Sequence, residues 1–102
     1  MQLSKDDIFN NIMMLIDEGL ELARNNIAHS SNDPSFDGRV NTWIQNSQIT
    51  LESITKSEIP SVYLNYLKLL LQLQKMPDLS SMVKLTSCIE YLIDIAKMLN
   101  KL

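Results

Sequence analysis

The sequence predicts an all-α fold, a four-helix antiparallel bundle, on three observations. Apolar residues recur at alternating spacings of four and three in four separate segments, and no useful length alternates as a strand does. Gly and Pro are scarce, two and three in 102 residues, so few positions interrupt a helix. The links between the periodic segments are short, which favours antiparallel neighbours. At this length one domain over residues 1–102 is expected.

The first helix starts at Ser4, a good N-cap, and Asp6 and Asp7 put negative charge on the positive end of its dipole. Phe9, Met13, Ile16, Leu20, Ala23 and Ile27 form its expected core stripe, widened by Ile8, Ile12 and Leu15. It should fray over residues 28–32, ahead of Asp33 and Pro34. Pro34 then opens the second helix, since proline loses no useful hydrogen bond at the first helical position. That helix carries Phe36, Val40, Trp43, Ser47, Leu51 and Ile54 on one stripe. Trp43 supplies the largest apolar burial in the chain, and its indole N–H needs an acceptor. Ser47 is small enough to let another helix approach closely.

Ser57 is expected to cap the third helix, with Pro60 in its first turn. The fourth begins between Asp78 and Ser81, after Pro77, and runs Met82, Leu85, Ile89, Leu92, Ala96 and Leu99 toward the core. Cys88 lies beside that stripe and reads as a small core residue. A single cysteine excludes an internal disulfide, and no neighbouring His activates it as a nucleophile.

The third helix is unusual. From Val62 to Leu73 only Asn65, Lys68 and Gln72 are polar, so one narrow polar stripe lies on an otherwise apolar cylinder. Such a helix is either wedged centrally or keeps a spare face, Leu64, Leu71 and Leu69, for another chain. The second reading is preferred and makes Tyr63, Leu64, Tyr66, Leu67 and Leu71 the expected partner contacts. It implies a protein partner, a second copy of the chain, or both.

Charge narrows the function classes. Residues 1–37 hold seven acids against two bases, and residues 38–102 hold five acids against seven scattered bases. A nucleic-acid binder concentrates Lys and Arg on one face, so nucleic acid is not the expected partner. No twenty-residue apolar run exists, so no bilayer span is expected. The polar, acidic start does not read as a signal peptide, and a reduced, cytoplasmic setting is expected. Asp17, Glu18 and Glu21 form an acidic face; a carboxylate metal site in a bundle would want a Glu-x-x-His that is missing here. Neither a metal nor a cofactor is therefore expected. The same face could act as a small acidic inhibitor or immunity protein that fills a partner's basic site.

Arg24, with His29 five positions later, resembles the signature of HEPN-family ribonucleases, which are all-helical. The resemblance implies that Arg24 would steady the scissile phosphate and His29 would move a proton at the ribose hydroxyl. Five positions on a helix are about 140° apart, so the two converge only if the helix ends between them. As residues alone, Arg24 is a cation near a helix C-terminus, where the dipole favours it, and His29 is a solvated residue just beyond. The non-catalytic reading is preferred.

A longer likeness runs through Val40-x-x-Trp43, Leu51-Glu52-x-Ile54, Ser57 and Tyr63, with Leu15-Ile16-Asp17-Glu18-Gly19-Leu20-Glu21-Leu22 upstream. Together these resemble a helical accessory domain at the amino-terminal end of bacterial TIR-like and nucleotide-binding anti-phage defence proteins. Val40 stands where that family has an aromatic, and Thr55-Lys56 where it has Phe-Gly. The effector domain that follows in that family is not expected within these residues. The resemblance implies a non-catalytic module, in defence or counter-defence, that presents a partner, holds an oligomer or senses an infection cue.

Overall fold

Four helices form in the computed structural model, which describes residues 4–28, 34–56 and 59–101: α1 (Lys5–Ala28), α2 (Phe36–Thr55), α3 (Pro60–Gln74) and α4 (Ser81–Lys101). No strand occurs among the described residues. Local chemistry sets the helix starts. The Asp7 N–H donates to Ser4 Oγ (3.1 Å) while the Ser4 N–H donates to Asp7 Oδ2 (3.3 Å), a reciprocal cap with Asp in the usual Glu position. The Val83 N–H donates to Ser80 Oγ (3.2 Å), which caps α4 where the sequence places its start.

The start of α2 departs from expectation. Pro34 and Ser35 form a turn, and Phe36 is the first helical residue. Ser35 is the flanking residue, and its carbonyl accepts from the Arg39 N–H (3.0 Å). Pro60 does open α3, flanked by Ile59. Ser57, the expected cap of α3, and residues 29–33 lie outside the described residues; of the expected fray only Ala28 is described, and it is still helical.

Each helix packs antiparallel on the next, and α4 returns to α1. Contacts along the chain fix this sense: Trp43 reaches Leu15, Tyr63 reaches Glu52, and Tyr91 reaches Val62. α2 also meets α4 across the bundle, whereas α1 and α3 do not touch. The cross-section is therefore a rhombus with α2 and α4 on its short diagonal. A Ser81 Oγ donor to Asp37 Oδ1 ties the N-terminal ends of that pair.

On α2 all six expected core residues are buried, and on α4 Leu85, Cys88, Ile89, Leu92, Ala96 and Leu99 are buried. α1 corrects its expected stripe. Ile8, Ile12, Leu15 and Ile16 are buried, while Leu20 is on the surface and Ile27 is 70% exposed. The buried face is centred on the widening residues Ile8, Ile12 and Leu15 together with Ile16, and Phe9, Met13 and Ala23 are half-buried at its flank. The cause is Gly19: a Cβ there would stand 2.9 Å from Ile89 Cδ1 and 2.9 Å from Trp43 Cζ2. The bundle closes on the one α1 position without a side chain, and that fixes which face turns inward. The Trp43 indole N–H finds its acceptor at the Leu15 carbonyl, 3.0 Å away and one turn before Gly19.

α3 is not wedged centrally. It packs on α2 and α4 only, burying Val62, Tyr66 and Leu73. Tyr66 corrects the expected partner contacts, because it is a core residue with no exposed surface. Its ring stacks on Tyr91 with centroids 5.4 Å apart, a pairing worth about 0.5–1.5 kcal/mol beyond burial.

The two glycines should respond with opposite signs to alanine. Gly38→Ala meets nothing within 4 Å on an exposed helical position and should stabilise by about 0.5–1 kcal/mol. Gly19→Ala should destabilise by about 1–2 kcal/mol, because overpacking against Trp43 and Ile89 outweighs the propensity gain. Chemical-denaturation midpoints of the two variants measure both.

Candidate functional site

Three concave or apolar surfaces surround this core. One is a groove of about 940 Å³ between the C-terminal half of α1 and the N-terminal half of α2. Asp17, Glu18 and Glu21 line its α1 side and Arg39 its α2 side, over a floor that includes Leu22 and Trp43. The acidic face expected from sequence is thus gathered in one place. Among the described residues no three His, Cys, Asp or Glu side chains converge as a metal site would need.

Arg24 is exposed on α1, and its guanidinium pairs with Glu21 at 3.3 Å. The helix continues through Ala28, a full turn beyond it. His29, its expected catalytic companion, lies outside the described residues, so the pair has no described geometry.

The second surface is the outer side of α3. Leu64 and Leu71 are 54% and 56% exposed, two turns apart, with half-buried Leu67 between them and half-buried Tyr63 beside them. Tyr63 is steadied by its hydroxyl, which donates to Glu52 Oε2 (3.2 Å). Leu69 is half-buried against the core rather than on this face.

The third surface is an apolar groove of about 350 Å³ between α1 and α4, lined by Phe9, Met13, Ile16, Leu20, Ile93 and Ala96, with Asp17 and Lys97 also on its wall. Sequence reasoning assigned most of these α1 residues to the core and so missed the groove. The signal was available: α1 carries two adjacent apolar stripes, more than a bundle helix can bury on one face.

The inner polar contacts are structural. The Ser47 hydroxyl donates to the Ile44 carbonyl (2.7 Å), which leaves its oxygen to accept the Tyr66 proton at 2.6 Å. The Tyr91 hydroxyl donates to the Val62 carbonyl (2.6 Å). Burial pushes the Tyr66 phenol well above its ordinary value, with the neighbouring Cys88 adding to it, and burial also raises Tyr91. Burial pushes the Cys88 thiol up in the same way, so it is held as the neutral, unreactive form. No helix of the described residues is long and apolar enough to cross a membrane.

Compared with known proteins, the chain matches no family model, no curated protein and no solved structure.

The raised phenols set an alkaline limit on stability. An unfolded phenol releases its proton near pH ~10, while folded Tyr66 still holds it. The unfolded state therefore binds fewer protons above that pH, and stability falls as pH rises, with none of this loss below it. Cys88 acts in the same direction from near pH ~8.5. The denaturation midpoint should decline steeply above pH ~10, and Tyr66→Phe should flatten that decline while costing about 1–2 kcal/mol at neutral pH.

Proposed function

We propose that this four-helix bundle is a non-catalytic protein-interaction module that self-associates through the outer face of α3. The observation that carries the reading is the pair of exposed leucines, Leu64 and Leu71, aligned with Leu67 on a helix that packs on two neighbours only. An apolar stripe of this kind gains free energy when a second apolar face excludes water from it. Tyr63 adds an aromatic anchor already fixed by Glu52, which lowers the entropy lost on association. The resemblance of the motifs around Trp43 and Leu51-Glu52-x-Ile54 to accessory domains of anti-phage proteins supports a role in bacterial defence or phage counter-defence, where such a module would gather copies or present a partner.

A second reading is supported by the groove between α1 and α2. There Asp17, Glu18 and Glu21 stand together on one wall, as an inhibitor that occupies a partner's basic site would require. The two readings differ in what salt does to them. Exposed charge pairs weaken as the Debye length shrinks, whereas apolar association does not.

Sedimentation at increasing concentration should give a dimer or higher oligomer that survives high salt. Leu71→Glu should weaken it by about tenfold or more without loss of helix content. A chain that sediments as a monomer throughout, with partner capture unchanged in Leu71→Glu, would overturn the α3 reading. For the acidic reading, capture of a basic partner should drop by at least tenfold between low and high salt and be lost in an Asp17→Asn, Glu18→Gln, Glu21→Gln variant. Salt-independent capture that survives that triple change would overturn it.

A further inference from the structure

A further cavity, of about 340 Å³, lies between α2, α3 and α4 and shares no residue with any of the three surfaces above. Asn41, Gln45 and Gln48 of α2, Gln74 of α3 and Lys84 of α4 line it. Its other lining residues, Ile44, Leu70 and Leu73, are apolar and largely covered by the core. Four carboxamides and one ammonium therefore face one small space with no carboxylate among them, in a chain whose acids outnumber its bases twelve to nine.

Lys84 is placed against its local interests. It is half-buried in the first turn of α4, where the helix dipole disfavours a cation and where no acidic residue stands. Among the described residues no carboxylate lies within ion-pair distance of it. The nearest sequence candidate on α2, Asp37, is engaged by Ser81 instead. Local rules broken without compensation inside a fold mark the places where function takes precedence.

We infer that this cleft binds a carboxylate carried on a short apolar stem. The ammonium offers only donors, and the carboxamide NH2 groups add more, so an acceptor-only anion satisfies them together. A neutral guest would cover Lys84 without a counter-charge, and a cation would be repelled. The apolar floor of Ile44, Leu70 and Leu73 separates such a ligand from inorganic phosphate, which has nothing to bury there. The volume, at the small end of ligand sites, fits a short aliphatic acid or the last residue of a polypeptide.

Titration of sodium hexanoate into the nitrogen-15-labelled protein tests this. Saturable shifts of the Asn41, Gln45, Gln48 and Gln74 side-chain amide signals are expected, with hexanamide and inorganic phosphate at least tenfold weaker. Lys84→Met should weaken hexanoate at least tenfold while Lys84→Arg keeps it. Gln48→Leu, on a different helix, should also weaken it, so the result does not hang on the folding of one variant. N-acetylglycyl-leucine, titrated alongside, distinguishes the end of a polypeptide from a free acid by which of the two binds more tightly. Hexanamide binding as well as hexanoate, an undiminished response in Lys84→Met, or no saturation with either carboxylate would overturn the proposal.

Discussion

The contact of Trp43 with the bare backbone of Gly19 organises the bundle. A helix carbonyl points toward the residue one turn later, so the lack of a side chain at Gly19 leaves the Leu15 oxygen open from the side. The Trp43 indole lies against that opening, donates to the oxygen at 3.0 Å and brings its Cζ2 within 2.9 Å of where a Cβ would stand. Ile89 of α4 closes on the same point from the other side. Three helices thus meet at one glycine, and the rotation of α1 about its axis follows. A helix with two apolar stripes could bury either. The close approach selects the one that contains Gly19.

That selection explains the surplus of apolar surface on α1. With Ile8, Ile12 and Leu15 turned inward, Phe9, Met13 and Leu20 fall to the flank and line the groove against α4. The outer leucines of α3 arise differently. There the inner register is fixed by Tyr66, whose hydroxyl needs Ser47 and whose ring needs Tyr91. Both partners lie on the α2–α4 pair, so Val62, Tyr66 and Leu73 turn inward and Leu64 and Leu71 are left on the far side. In each case one polar requirement inside decides what remains outside.

Most of the fold was legible in the sequence because the apolar residues of α2 and α4 centre on one four-three stripe each, although Ile49 on α2 and Val83 and Met98 on α4 lie outside it and are exposed. With one stripe, spacing has one solution, and residues from Phe36 to Ile54 and from Leu85 to Leu99 went where that solution puts them. α1 and α3 were read less well for the opposite reason. They have apolar residues on more than one face, and periodicity cannot choose between faces that are equally apolar. The choice is made by tertiary contacts 28 and 19 residues away in sequence, Trp43 to Leu15 and Tyr66 to Ser47. Tyr66 reads equally well as a surface anchor in the sequence, because an aromatic with a polar tip suits an interface as well as a core. The candidate surfaces were legible only in part: Leu64 and Leu71 stood out as excess, whereas the cleft around Lys84 draws one or more residues from each of three helices and has no linear motif.

The rhombic section has a mechanical consequence for any partner. α2 and α4 share contacts with every other helix, while α1 and α3 sit on opposite sides and do not touch. The buried polar bonds divide in the same way, Trp43 holding α1 and the Ser47–Tyr66–Tyr91 set holding α3. A load applied to the outer face of α3 is therefore carried by its own set of bonds and reaches α1 only through the central pair. The acidic groove between α1 and α2 and the leucine stripe on the outer side of α3 thereby lie on different flanks of the α2–α4 pair.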